Sequence, residues 1–428
     1  MGLEEEISEW QKLPGPLQHQ FYDHAIREAE RRIEFLRRLR EKLEGLRNEL
    51  VFEHVGQGDW EGLRVGVVDG SCPPAPDVRL GGTYALFCSS YKIFEGEELV
   101  DEGYRSGMLF VTNITPSTTA KGVLRLLMTR LERKSALDAL ERGAEWLIID
   151  GSFFGFRYRC RRVEDVEVTW YEVGEGGEVE EHTATGEDII EELFRATREI
   201  LKKKSVAIIK RARTRALDGH LVEEKWDLIE ESGGRLLGAV MTSLIDKAIL
   251  SIIMPEGRYF LYDSLFNRPG EFHFYSVLAG LCERWIEDRL ENGEPLDFSE
   301  LYALSKERVR HREKRENIPP RLFATYYPIL MEQVRRGFFK ASQEAPSCCF
   351  EMHVDRPLEE ILPYLMGFNN EDTGHPFPLD LVDEDVRLPR RFTREFVEEV
   401  EAQVLRKADV ELTRDYFQFL NPQKKWLY

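Results

Sequence analysis

The sequence predicts an α/β protein whose sheet is covered on both faces. Two valine- and isoleucine-rich runs, at 63–68 and 146–149, each end on Asp-Gly-Ser, at 69–71 and 150–152. Runs this apolar suit strands buried on both faces. Residues 117–142 lie between them and carry a helical stripe of Val123, Leu126, Leu127, Leu131, Ala136 and Leu140. Further β-branched and aromatic runs, at 82–93 and 107–113, extend the sheet.

The other elements follow in order. Residues 18–50 read as a helix, with Ala29, Leu36, Leu43 and Leu50 spaced by heptads and Leu39 and Leu46 between them. This stripe fits packing on the chain's own domain or on a partner helix. The second helix of the sheet starts at Ser117, Thr118 and Thr119, which offer N-caps, and ends at Gly143. Residues 174–187 are rich in Gly and Glu and read as a loop. Residues 187–204 read as a helix ending in three lysines, followed by a strand at 206–209 and Lys210. A helix is expected at 236–254 and a strand at 258–266. The charged segment 280–318 reads as a helical insertion, 323–331 and 347–354 as late strands, and 392–407 as the last periodic helix. The domain division expected is 1–55 as an N-terminal helical segment and 56–428 as the main domain carrying the insertion.

Composition narrows the function classes. The 428 residues fit one large α/β domain or two smaller ones, and no run of about 18 apolar residues predicts a membrane span. The acidic start MGLEEEISEW predicts no secretory signal, and the six cysteines show no CxxC or Cys/His spacing. We therefore expect a cytoplasmic protein with reduced thiols and no zinc site. A formal charge of -19 disfavours an open nucleic-acid surface but permits a basic channel inside an acidic shell.

The paired strand ends carry the candidate chemistry. A strand ending in Asp presents a carboxylate at the carboxyl edge of a sheet, where ligands of open α/β sheets collect. Two such carboxylates, Asp69 and Asp150, suit a hard divalent cation, Mg²⁺ or Mn²⁺. Glu132 follows Leu131 on the intervening helix and is placed to approach the same edge; otherwise it is a solvated helix residue. Lys210 ends a further strand and can contact a phosphate or orient water. Basic runs at 157–162, 202–204, 210–215 and 308–315 offer phosphate contacts. Within them Arg157, Arg159, Arg161, Arg162, Lys210, Arg211 and Arg213 are the candidate DNA-binding residues, and Phe153, Phe154, Phe156 and Tyr158 offer stacking surfaces. His353 and His375 carry no pattern of their own, and Glu351 shares a strand face with His353.

The ordered set VVDGS (67–71), LERKSAL (131–137), LIIDGSF (147–153), AIIK (207–210), LIDKAIL (244–250) and GHPFPLDLVDED (374–385) resembles the archaeal NurA nuclease family, partners of the HerA hexameric translocase. The resemblance runs from about residue 20 to about residue 410. It implies an RNase H-like mixed sheet flanked by helices and hydrolysis of DNA phosphodiesters with Mn²⁺ or Mg²⁺, two ions being expected. It implies Asp69, Glu132 and Asp150 as metal ligands, with a fourth in the late motif. Asp383 is the matching position, where some relatives carry His, and Asp380 and Asp385 lie close enough to compete. It further implies a homodimer, a HerA-like ATPase partner, and 5'-to-3' exonuclease with single-strand endonuclease action in DNA end resection and double-strand break repair. Two other readings stand beside it. One is an ATP-binding protein of the actin and sugar-kinase type, whose turns take the form Asp-x-Gly; the other is a non-catalytic adaptor on the same fold.

Overall fold

The computed structural model describes residues 12–421 apart from 57, 74–75, 113–116, 161–162, 164, 174–176, 316–319, 390 and 408–409. Among these, twelve strands form one mixed sheet: β1 (Glu53–His54), β2 (Arg64–Ser71), β3 (Asp77–Val78), β4 (Thr83–Glu95), β5 (Glu98–Val111), β6 (Trp146–Asp150), β7 (Glu167–Val173), β8 (Val179–Thr185), β9 (Ser205–Ile209), β10 (Arg258–Leu261), β11 (Val334–Lys340) and β12 (Cys348–His353). The spatial order is β1-β10-β11-β12-β9-β6-β2-β4-β5-β7-β8, with β3 paired to β4. At the centre, β2, β4 and β5 form an antiparallel meander, and β6 and β9 add in parallel beside β2. This is the RNase H-like arrangement the family resemblance implies.

Strand alternation sorts the core into two layers. Val68, Ile149 and Ala207 face the helices Ser117–Glu141 and Gly186–Leu201. Val67, Ile148 and Ile208 face the helices Leu358–Gly367 and Phe377–Val386. Both faces of the central strands are therefore dry, which explains their continuous apolar runs. A third apolar cluster gathers Leu39, Leu43, Leu46 and Leu50 against residues 212–309. The long N-terminal helix, Gly15–Glu49, is thus anchored by its last third on its own chain, while Tyr22, Ile26, Ile33 and Leu36 remain exposed.

Several expectations are corrected. Residues 323–331 are not a strand: Pro320–Pro328 is helical, and a π-helical turn, Ile329–Gln333, leads into β11. The aromatics that suggested a strand lie on one helical face, where Tyr326 packs on Phe154 and Phe194. Residues 174–187 are not wholly loop, because Val179–Thr185 is the edge strand β8. Its polar composition reflects one partner strand and open solvent on the other edge. Thr185 then caps the following helix: its Oγ1 accepts from Asp188 N at 3.2 Å, and Asp188 accepts from Thr185 N at 3.1 Å. The strand at 258–266 stops at Leu261, and the helix at 236–254 is two short helices, Leu237–Val240 and Asp246–Ile253. The charged segment 280–318 falls on two helices, Glu271–Glu291 and Phe298–Arg315. Strand β7 and the helices Ala216–Glu224, Leu358–Gly367 and Phe377–Val386 were not anticipated. The side chains of Ser117 and Thr118, offered as caps, lie outside the described residues.

Candidate metal centre and basic cleft

Asp69 ends the apolar part of β2 and Asp150 ends β6, its parallel neighbour. Both share strand parity with Val67 and Ile148, so both project to the face covered by the helix Phe377–Val386. Asp383 descends from that helix. Oxygens of Asp69, Asp150 and Asp383 lie within 4.8 Å of one another. Lys210 follows β9 with the parity of Ile208 and completes the group. Its Nζ stands 3.8 Å from Asp69, 3.5 Å from Asp150 and 3.3 Å from Asp383.

Glu132 comes from the opposite layer. It is buried, and its Oε1 accepts from Arg133 Nη1 at 2.6 Å. It approaches the strand ends across Gly70, where a β-carbon would lie 3.3 Å from the Glu132 Cβ and 3.5 Å from its Oε2. The missing side chain at position 70 lets a carboxylate from one face of the sheet reach acids on the other. Gly151, after the second aspartate, serves the turn instead: its φ is +79° and its N–H donates to Ile208 O at 2.7 Å.

The acids perturb one another. Burial and the neighbouring Asp150 hold the Asp69 carboxyl well above its ordinary range, against the pull of Lys210. Burial also raises Asp150, with Lys210 opposing. Burial raises Glu132 to about 7 despite Arg133. Asp383 goes the other way: its burial is outweighed by the hydrogen bond from Asp69 and the charge of Lys210, so it stays ionised. Burial would lower Lys210, but Asp150, Asp69 and Asp383 more than reverse this. The site therefore already gathers a cation. The donor set, convergent carboxylates with all-oxygen ligands, suits a hard divalent ion.

The competing late acids are engaged elsewhere. Asp385 pairs with Lys92 at 2.7 Å, and Asp380 accepts from Asn370 at 2.7 Å and Thr373 at 3.1 Å. His375 is buried, its imidazole pushed down to about 4 by burial, Lys247 and Lys210. Lys247 donates to Lys210 O at 2.9 Å and so fixes the lysine's backbone. His353 lies at the end of β12 with Asp355 at 3.7 Å.

A cleft of about 920 Å³ opens beside this centre, its wall including Ser152 and Ile209, neighbours of Asp150 and Lys210. Arg157, Arg211, Arg213, Arg215, Arg308 and Arg336 line it with a single acid, Glu307. A basic trench thus exists inside a strongly acidic protein. Arg159 is placed elsewhere, close to Arg125, Cys72 and Glu132. Arg161 and Arg162 lie outside the described residues, as do the side chains of 311–315. The lysine run at 202–204 sits at the far end of β9, pairing with Glu199 and Glu360. Of the four aromatics, Phe153, Phe154 and Phe156 are core, which corrects their assignment as stacking surfaces. Tyr158 is 45% exposed on the cleft, with the Arg157 guanidinium 4.3 Å above its ring; Arg157 itself is buried and donates to Phe154 O and Tyr158 Oη, which corrects its assignment as a phosphate contact.

Sequence reading passed over the role of Glu351. It is buried on β12 and joins Arg336 to the turn after Asp150. The sole signal for it was a lone acid inside the apolar run CCFEM.

No family model and no curated protein matches the chain. Its fold is that of the NurA nuclease from Sulfolobus solfataricus, whose crystal structure aligns over 91% of this chain and 98% of that one, with TM-score 0.52 and 13% identity. A crystal structure of NurA with manganese aligns over 90% of this chain and 99% of that one at TM-score 0.46 and 12% identity. One of NurA bound to dAMP and manganese aligns over 93% and 99% at TM-score 0.45 and 12% identity. The likeness to NurA expected from the ordered motifs thus holds at the level of fold.

Proposed function

We propose that this chain is a divalent-metal-dependent DNA nuclease. The observation that carries the reading is the convergence of Asp69, Asp150 and Asp383 within 4.8 Å, around the Lys210 ammonium, beside the arginine-lined cleft. The shared fold with a NurA nuclease supports it.

In this reading Asp69, Asp150 and Asp383 hold the metal, Mn²⁺ or Mg²⁺, and Glu132 completes the set from the opposite face. When bound, such an ion supplies Lewis-acid stabilisation of charge on the phosphodiester oxygens, and a pair of ions about 3.5–4 Å apart does so for both attacking and leaving oxygens. The chain's own contribution is placement. Lys210 counterbalances the acids and presents a positive charge to the phosphate. Arg157, buried and bonded to Phe154 O and Tyr158 Oη, holds Tyr158, which offers a face for an unpaired base. Arg211 and Arg213, on the strand-end segment after Lys210, neutralise the backbone. Arg159, Arg161 and Arg162 remain candidates for the same task. None of these contacts reads base edges, so cleavage is independent of sequence.

The finer assignment follows from the family resemblance. It comprises 5'-to-3' exonuclease and single-strand endonuclease action, a homodimer, a HerA-like hexameric ATPase partner, and work in DNA end resection and double-strand break repair. The division into an N-terminal helical segment, 1–55, and a nuclease domain, 56–428, belongs to the same reading; the exposed stripe Tyr22, Ile26, Ile33 and Leu36 suits the contact role proposed for that segment. Among the described residues no helix is long and apolar enough to cross a membrane.

The test is cleavage of end-labelled single- and double-stranded DNA with Mn²⁺, comparing wild type with Asp69→Ala and Asp150→Ala. Cleavage abolished by both substitutions, with the fold intact by circular dichroism, is the expected result. Cleavage that survives in both overturns the assignment.

A further inference from the structure

Glu351 and Arg336 are direct cross-strand partners on β12 and β11, and both are buried. Arg336 donates from Nε and Nη2 to Glu351 Oε1, its guanidinium lies 4.4 Å over the Phe272 ring, and it forms part of the cleft wall. The second oxygen, Oε2, accepts from Ser152 Oγ at 2.8 Å and from Phe153 N at 3.1 Å. Those two donors belong to the turn that leaves Asp150. The same turn continues the chain of contacts: Phe153 O accepts from Arg133 Nη2 at 3.3 Å, and Arg133 holds Glu132.

One carboxylate therefore clamps a cleft arginine with one oxygen and the Asp150 turn with the other. The turn has few alternatives for its shape, since Gly151 adopts a left-handed φ and its N–H is already committed to Ile208. An oxygen that fixes Ser152 and Phe153 fixes the direction in which Asp150 leaves β6. Through Phe153 O it also steadies the arginine that orients Glu132.

We infer that Glu351 is a positioning residue that couples the basic cleft to the acidic centre. It rests on the metal-nuclease reading above and deepens it. A backbone phosphate drawn to Arg336 shares the guanidinium with Glu351. That changes the pull of Glu351 on the turn, and with it the placement of Asp150 and Glu132. Coupling of this kind is reciprocal: a strand in the cleft changes Mn²⁺ affinity by the same factor by which Mn²⁺ changes strand affinity.

The experiment measures Mn²⁺ binding by electron paramagnetic resonance, with and without a saturating phosphorothioate single-stranded oligonucleotide. It uses wild type, Glu351→Gln, and the charge-balanced Arg336→Gln/Glu351→Gln pair. We expect the oligonucleotide to shift wild-type Mn²⁺ affinity about fivefold or more, within the usual span of coupling. Both variants should bind Mn²⁺ about tenfold more weakly, as losses behind a metal ligand do, and should show almost no shift with oligonucleotide. Folded variants with wild-type Mn²⁺ affinity and an unchanged shift overturn the inference and leave the nuclease reading standing. Failure of the wild type to bind Mn²⁺ at all overturns both. Ser152→Ala cuts one link to the turn without stranding a buried charge, so it decides the question should the Glu351 variants fail to fold. It is expected to reduce the shift and, if the shift is unchanged, the inference falls.

Discussion

Lys210 Nζ lies 3.3 Å from Asp383 Oδ1, closing a site whose parts come from the end of one parallel strand and a helix far along the chain. The same ammonium is 3.5 Å from Asp150 and 3.8 Å from Asp69, so it competes with any cation for all three. At an effective dielectric near 20, a charge contact of about 4 Å is worth about 4 kcal/mol before solvation changes are counted. Lys210→Ala should therefore lower the Tm of the metal-free protein and tighten Mn²⁺ binding by about tenfold, near 1.4 kcal/mol. Cleavage should nonetheless slow, because the positive charge facing the phosphate is gone. Calorimetric titration with Mn²⁺ checks the sign; weaker binding would exclude the competition.

Asp69 is buried beside Asp150, and both effects hold its carboxyl above the ordinary range. An amide at this position avoids burying an ionisable carboxyl beside Asp150 and can still donate to Asp383. Asp69→Asn should leave the metal-free Tm unchanged or raise it. It should also abolish the Mn²⁺-induced stabilisation, which for wild type reaches about 2.7 kcal/mol at a hundredfold excess over Kd. Cleavage should fall by about 10³-fold or more, the scale on which loss of one member of a catalytic group is felt. Thermal melts with and without Mn²⁺ separate this from a folding defect, which would lower both curves.

Glu132 gives the site a pH dependence with a definite direction. Burial raises it to about 7 from its ordinary 4.5, so the folded state holds a proton that the unfolded state has lost across that interval. Metal-free stability should fall as pH rises from about 4.5 to about 7 and level off above, with Asp69 and Asp150 acting in the same direction. Metal binding needs the ionised acids, so Mn²⁺ affinity should climb over the same interval. Melts across pH 5 to 8.5 test this, and Glu132→Gln should flatten the metal-free slope. A slope of opposite sign would mean that the acid is ionised in the folded protein.

The convergence of the candidate residues was partly legible because they sit where local pattern is strongest. Asp69 and Asp150 end dry strands, and the repeated Asp-Gly-Ser marks the same edge twice. Lys210 was found by the same logic. The choice among Asp380, Asp383 and Asp385 turned on helical phase, which spacing alone did not settle: Asp383 points to the sheet, while Asp385 meets Lys92. The phenylalanines at 153, 154 and 156 misled because an aromatic next to arginine has the same sequence signature in a core as on a binding wall. The strand at 323–331 failed for a related reason, since aromatic content favours both a pleated surface and a buried helix face. Glu351 was missed because its partners, Ser152 and Arg336, are distant in sequence and their pairing exists only once β12 lies between β9 and β11.

The cleft arginines offer a test that does not depend on turnover. Arg211 and Arg213 line the wall that begins at Ile209, one residue before Lys210. In the proposed reading each meets a backbone phosphate. Single-strand affinity falls with salt by about 0.7 logarithmic units per neutralised phosphate for each decade of salt. The Arg211→Ala/Arg213→Ala pair should therefore weaken oligonucleotide binding and flatten the salt slope by about 1.4, equally for every base sequence. Fluorescence anisotropy with a labelled oligonucleotide, across roughly 50 to 200 mM salt, gives the slope directly. Tyr158→Ala should weaken binding with the slope unchanged, because stacking releases no counterions and contributes about 1–3 kcal/mol per base. A salt slope that the arginine pair leaves intact would place the strand on another surface, and Arg159, Arg161 and Arg162 would be the next to substitute.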